Sequence, residues 1–211
     1  MKRVGHKGAD LLAPGNTAAA FAAAIEAGVD MLEFDVLPEH LDGTGELYLA
    51  HDPDDRAARP DALTLEQGLA HLAGEGYAGV ELDVDLKLPG YELRVLEALR
   101  EHGLLERSLI CSTYAQSLRV LRAAAPQVRL GFSYPALRSD PTTRPGTKYA
   151  ALALAAGARQ VIPAAFARRV RRGEFDAVMV HWRLFSRRLL RAVRAAGGEV
   201  YVWTVDDPVL L

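Results

Sequence analysis

Short apolar, β-rich runs alternate along this chain with longer Ala/Leu/Arg-rich stretches whose apolar residues recur every three or four positions. The short runs fall at about 3–5, 31–36, 79–84, 108–112, 128–132, 160–162, 177–180 and 199–204. Helical patterns fill the gaps, among them 17–27, 93–101, 117–124 and 186–196. Gly28, Gly103 and Gly197 follow three of these, where a helix is expected to stop before the next strand. Such alternation predicts an α/β fold with a parallel sheet and helices outside it. Eight strand candidates in 211 residues predict a (β/α)8 TIM barrel, one domain over residues 1–211. An open doubly wound sheet is the rival, but no G-x-G-x-x-G turn follows the first strand. An additional run at 46–50, after Asp42-Gly43, predicts a hairpin on the second strand.

The balance of charge narrows the partners. A formal net charge of -2 exerts no general pull on nucleic acid or anionic lipid. The basic run Arg168-Arg169-Val170-Arg171-Arg172 has no interleaved aromatics and reads as a solvated helix face. No stretch is apolar enough to span a bilayer and the N-terminus has no signal-like core, so a cytoplasmic protein without membrane insertion is expected. The one cysteine, Cys111, lies in an apolar run and is expected to be a buried strand residue. Oligomeric state is not legible.

In a parallel barrel, functional groups gather where strands end. The first strand ends in His6-Lys7-Gly8, the second in Glu33-Phe34-Asp35, the hairpin in His51-Asp52, the third in Asp83-Val84-Asp85-Leu86-Lys87. Residues two apart on a strand share a face, so Glu33 and Asp35 point together, as do Asp83, Asp85 and Lys87. Carboxylates from neighbouring strands repel unless a cation lies between them. A divalent ion is one solution, Mg2+ or Ca2+ given all-oxygen donors; an ion-pair network with Lys87 is the other. His6 and His51, expected side by side, could serve as general acid and base. Lys7 and Lys87 are candidates to neutralise phosphate charge. Trp203, on the last strand, either packs in the core or lines the pocket mouth. His181 is a weaker candidate contact, while His40, His71 and His102 are expected at the surface.

These residues resemble the glycerophosphodiester phosphodiesterases. That family opens with His-Arg-Gly, then Pro-Glu-Asn-Thr, an Ala/Phe-rich helix, Gly-Ala-Asp-x-Leu-Glu-x-Asp-Val, a Gly-containing turn and His-Asp. Here the order is His6-Lys7-Gly8, Pro14-Gly15-Asn16-Thr17, Ala20-Phe21, Gly28-Val29-Asp30-Met31-Leu32-Glu33-Phe34-Asp35-Val36, Asp42-Gly43 and His51-Asp52. Asp85-Leu86-Lys87 and Trp203-Thr204-Val205 match two later motifs. The resemblance implies a divalent metal on Glu33, Asp35 and Asp85, His6 and His51 as the acid/base pair, and Lys87 near the phosphate or ordering the metal's surroundings. It implies a small-molecule glycerophosphodiester as substrate, with glycerol 3-phosphate and an alcohol as products, and a glycerol hydroxyl as first nucleophile.

Three positions depart from the pattern. Lys7 replaces an Arg, Gly15 a Glu, and Asp85 the commoner Glu. Asp-x-Lys also occurs in related phospholipase D toxins. Two alternatives therefore stay open: phospholipase D- or lyase-like action on lysolipid or sphingolipid phosphodiesters, and a non-catalytic barrel binding a phosphate ligand. The stretch after His51 is too short for the small domain many relatives insert there. The sequence ends at Leu211, where relatives continue with a closing helix, so either the barrel lacks its final helix or a partner covers the apolar surface left.

Overall fold

The structure is a computed structural model that describes residues 1–136, 146 and 148–205. The chain divides into two compact units, Met1–Arg129 and Leu130–Leu211.

The first unit begins with a two-residue strand, β1 (Val4–Gly5), and a loop that leads into α1 (Ala18–Glu26). Thr17 caps α1, its hydroxyl accepting from the Ala20 N–H at 3.2 Å. Gly28 then takes a left-handed φ of 70°, which ends the helix and turns the chain into β2 (Met31–Pro38). All eight residues of β2 are buried. Phe34 from β2 meets Phe21 from α1 with ring centroids 6.2 Å apart. The Asp42-Gly43 turn returns the chain as β3 (Leu47–Tyr48), antiparallel to β2, so the hairpin expected near 46–50 is present.

Two helices follow, α2 (Pro53–Ala58) and α3 (Leu65–Leu72), the second with a Thr64–Gln67 capping box. Then come β4 (Glu81–Leu86), α4 (Glu92–Glu101), β5 (Ser108–Ser112) and α5 (Ala115–Ala124). β1, β2, β4 and β5 are parallel neighbours in that order. Val84, Ile110, Leu96, Leu99 and Leu121 are fully or almost fully buried, as strands covered by amphipathic helices require. Cys111 is free and buried on β5, as expected.

β6 (Arg129–Tyr134) begins at the boundary between the units. The second unit continues with α6 (Lys148–Arg171), β7 (Ala177–His181), α7 (Arg187–Ala195) and β8 (Glu199–Trp203). β6, β7 and β8 are parallel neighbours. Phe132, Phe166 and Phe175 form an aromatic cluster with centroid separations of 5.4 to 6.4 Å. Of the basic run, Arg168, Arg171 and Arg172 are exposed, whereas Arg169 lies over Phe132 and Phe175 and pairs with Glu174 at 2.7 Å.

One expected strand is wrong. Residues 160–162 lie inside α6, a helix of 24 residues. Val161 and Ile162 are β-branched, but the Ala- and Arg-rich sequence on both sides favours helix, and three residues cannot oppose that. Ile162 turns inward while Val161 stays 68% exposed, as a helical face allows. The described residues therefore hold seven parallel strands, β3 being the hairpin partner. Residues 206–211 lie outside the described residues. Among the described residues no helix is long and apolar enough to cross a membrane.

Candidate active site

Strand pairing alone creates the site's charge. In the β2–β4 register Glu33 lies beside Asp83 and Asp35 beside Asp85. Four carboxylates thus share two adjacent strands, and Asp35 and Asp83 are almost wholly buried. One oxygen from each of Glu33, Asp35 and Asp85 lies within 4.8 Å of the others. Asp83 does not join this trio. It takes a hydrogen bond from the Cys111 thiol, and burial raises its pKa to about 7.

Lys87 answers part of this charge. Its ammonium is 2.5 Å from Asp35 Oδ1 and donates to Asp85 Oδ2. Burial opposes the Lys87 charge, yet Asp35, Asp85 and Glu33 lift its pKa well above the ordinary value. Burial likewise works against an ionised Asp35, but Lys87, His51 and Lys7 hold its carboxyl well below the usual range. Glu33 goes the other way, raised first by burial and then by Asp35. Lys87 is held by the backbone that follows β4: its N–H donates to Val36 O at 3.2 Å, and the buried Tyr91 hydroxyl donates to the same carbonyl at 2.6 Å.

The loop after β1 reaches the same point. Lys7 adopts a left-handed φ of 49°, which aims its N–H at Glu33 Oε2, 2.6 Å away. Gly8 follows at φ 85°, and a Cβ there would meet the Ala20 backbone at 2.7 Å, so only glycine lets the turn lie against α1. Eight residues on, Asn16 is buried and left-handed. Its side-chain amide donates to Asp35 Oδ2 at 2.8 Å, and its oxygen accepts from the Asp35 N–H at 3.0 Å. Asn16 thereby fixes the carboxylate's rotation and leaves Asp35 Oδ1 facing Lys87.

Each candidate histidine is oriented through its Nδ1 nitrogen. His6 Nδ1 lies 3.0 Å from Asp10 Oδ2, and His51 Nδ1 lies 2.9 Å from Asp52 Oδ2. Asp52 has a second task, since its other oxygen caps α2 by accepting from the Asp55 N–H at 2.8 Å. The side chains of His6 and His51 remain 38% and 45% exposed, so both rings are open to a ligand. Partial burial lowers the His6 pKa, against the pull of Asp10. Asp35 is the common neighbour, interacting electrostatically with both imidazoles.

A cavity of about 180 Å³ adjoins this cluster, lined by Lys7, Asp10, Pro14, Gly15, Asn16, Asp55 and Arg59. The structure thus brings together seven of the eight residues expected from sequence: His6, Lys7, Glu33, Asp35, His51, Asp85 and Lys87. Trp203 belongs to the second unit, where it meets His181 edge to face at 5.2 Å and its buried Nε1 has no hydrogen-bond partner among the described residues. Sequence reasoning gave Asn16 no role, although a polar residue next to a glycine and before a helix cap was the available signal.

The trio also suits a divalent ion. Among the described residues Asp85 Oδ1 is buried without a hydrogen bond, and Asp35 Oδ1 meets the Lys87 ammonium. Three carboxylates set against one ammonium leave negative charge in a buried place, and hard oxygen donors match Mg2+ or Ca2+.

The model of the Glycerophosphoryl diester phosphodiesterase family matches residues 6–38 and 78–210. The chain belongs to that family. It is 27% identical over 162 residues to the glycerophosphodiester phosphodiesterase of Caldanaerobacter subterraneus subsp. tengcongensis, a match covering 62% of this chain. The match spans 65% of that curated relative's length, just under two thirds. Among solved structures, an Oleispira antarctica phosphodiesterase in complex with the product sn-glycerol-3-phosphate is similar at a TM-score of 0.72 and 21% identity, covering 100% of this chain and 87% of that one. A glycerophosphodiester phosphodiesterase from Parabacteroides distasonis is similar at 0.71 and 17%, covering 99% and 86%. At these identities the likeness shows the fold, the α/β barrel class of this family, here with seven parallel strands among the described residues.

Proposed function

We propose that this chain hydrolyses glycerophosphodiesters to glycerol 3-phosphate and an alcohol, using His6 and His51 as acid and base beside a divalent metal. One observation carries the reading: Glu33, Asp35 and Asp85 converge within 4.8 Å, with two open imidazoles interacting with the middle carboxylate. Family membership and the relative solved with sn-glycerol-3-phosphate support the substrate class.

Glu33, Asp35 and Asp85 would hold Mg2+ or Ca2+, which supplies Lewis-acid polarisation of a phosphoryl oxygen when bound. The protein's own groups do the rest. Nδ1 of each imidazole is engaged by a carboxylate, which leaves Nε2 to face the substrate. In the first step one Nε2 removes the proton of the attacking glycerol hydroxyl and the other protonates the departing alkoxide, which leaves a cyclic phosphate. With the two roles exchanged, water then opens that ring to glycerol 3-phosphate, so protons balance over the two steps. His6 suits the base role because its lowered pKa keeps it neutral near pH 7. Lys7 adds positive charge beside the phosphate, and Lys87 keeps Asp35 ionised while also pairing with Asp85. In this reading residues 1–211 form one catalytic domain that acts on small molecules in the cytoplasm.

A metal-by-substrate matrix tests the proposal. Glycerophosphocholine, lysophosphatidylcholine and sphingomyelin are each offered with Mg2+, Ca2+ or EDTA. Glycerol 3-phosphate from glycerophosphocholine, lost with EDTA, is the expected outcome. Turnover confined to the lipids would move the assignment to the phospholipase D-like reading. Binding without product in every arm would leave a ligand-binding barrel.

A further inference from the structure

We propose that Arg59 is a positioning residue that holds the His51 loop against the loop carrying Asn16, an inference that rests on the acid/base reading of His51. Arg59 ends α2, and its side chain is mostly buried. Its Nε donates to Asp55 Oδ1 at 2.9 Å and its Nη2 to Asp55 Oδ2 at 2.6 Å. Nη1 donates to Gly15 O at 3.0 Å, and Nη2 also reaches Leu49 O at 3.3 Å. Asp55 Oδ2 in turn accepts the His51 N–H at 2.9 Å. One guanidinium therefore grips the chain on both sides of His51 and the carbonyl just before Asn16, the residue that sets Asp35.

The clasp matters because α2 has no buried residue of its own. No apolar face anchors this helix, so on the side of His51 that leads into α2 polar contacts set the course of the chain, while Leu49 and Ala50 are buried on the other side. The planar five-donor fork of arginine can serve three acceptor groups at once, which an ammonium cannot do in the same geometry. Gly15 lets its own loop fold tightly, since a Cβ there would meet Lys7 Cβ at 2.8 Å and Asp10 Cβ at 3.1 Å. Two of the three sequence departures, Lys7 and Gly15, line the same cavity as Arg59.

Arg59 already pairs with Asp55, so its charge is engaged before any phosphate arrives. A positioning role and direct phosphate binding then separate by kinetics. With glycerophosphocholine and the activating metal, Arg59→Ala is expected to lower kcat about 10²-fold, the size of a small misplacement of a reacting group. KM is expected to stay within about threefold, because uniform substrate binding is not lost. Arg59→Lys is expected to recover little, whereas millimolar guanidinium added to Arg59→Ala restores part of kcat and does nothing for the wild type. A raised KM at unchanged kcat, or an Arg59→Ala enzyme with wild-type constants, overturns the proposal. Should Arg59→Ala not fold, Asp55→Asn keeps an oxygen for the His51 N–H but loosens Arg59; it is expected to lose kcat, and wild-type kcat there also overturns it. His51→Ala distinguishes the levels. An active His51→Ala enzyme sinks the acid/base reading itself, whereas an inactive one beside a fully active Arg59→Ala enzyme sinks only the clasp.

Discussion

The two units fill their strands differently. In the first, β2 and β4 bury Glu33, Asp35 and Asp83 on adjacent strands, and Lys87 bridges Asp35 to Asp85. In the second, β6 and β7 bury Phe132, Val178, Met179 and Val180, and Arg169 covers aromatic rings and pairs with Glu174. Apolar packing stabilises a fold without further conditions. Clustered carboxylates do so only with a cation between them, because each buried charge forfeits hydration. A protein keeps such an arrangement where its chemistry needs one. The first unit therefore carries the site's charge, while the aromatic cluster of the second serves packing.

The sharpest way to break this contrast is through the histidines. His6→Ala and His51→Ala are expected to lower turnover of glycerophosphocholine by about 10²- to 10⁴-fold. His181→Ala, in the second unit, is expected to change it by less than about tenfold, a smaller effect than loss of an acid or base. A loss for His181 as large as that for His6 would show the division of labour to be wrong.

Stability gives the next test. Lys87→Met strands Asp35 and Asp85 without their ammonium and is expected to cost about 3–5 kcal/mol in unfolding experiments without metal. Phe132→Ala is expected to cost a similar amount, about 3–5 kcal/mol, by opening a cavity. The two should part when Mg2+ or Ca2+ is added. Metal is expected to raise the melting temperature of the lysine variant more than that of the wild type, and to raise the phenylalanine variant by the wild-type amount. Equal shifts in all three would argue against a shared cation site.

A smaller effect is expected at Asn16. Asn16→Ala frees Asp35 to rotate, and metal affinity measured by calorimetry should fall about 10- to 100-fold, the scale of losing a group that orients a ligand. Unchanged affinity would mean that the strand alone orients Asp35.

The smallest effect concerns pH. Burial lowers the folded-state pKa of His6 below the ordinary imidazole value of 6.5. Between that value and the lower folded one, the unfolded chain binds more protons than the folded protein, so stability falls as pH drops through the window and levels off beneath it. Stability from this group is complete above pH 6.5. His6→Gln is expected to flatten that part of the curve in denaturant titrations at several pH values. An unchanged slope would assign the acid sensitivity to other groups.

Much of this arrangement could be read before any fold was known. Alternating patterns located seven of the eight expected strands, β5 at the same bounds, and two-residue spacing put Glu33 with Asp35 on one face. The eighth, at 160–162, failed because a three-residue apolar run has no period of its own, and α6 absorbed it. Asp83 was grouped with Asp85 by the same spacing rule, yet Cys111 on β5 and burial set it apart. Asn16 and Arg59 were passed over because their partners lie elsewhere in the sequence, Asp35 for the first and Gly15 for the second.

The sequence by itself determined the residue types and the strand ends on which they sit: His6, the Glu33–Asp35 pair, His51 after its hairpin, and Asp85 with Lys87. Periodicity is a local property and needs no partner. Tertiary structure alone decided which carboxylates meet, which amide turns Asp35, and what ties the His51 loop to the Gly15 carbonyl. Those outcomes depend on register between strands and on contacts between residues far apart in sequence, where packing and charge act through space rather than along the chain.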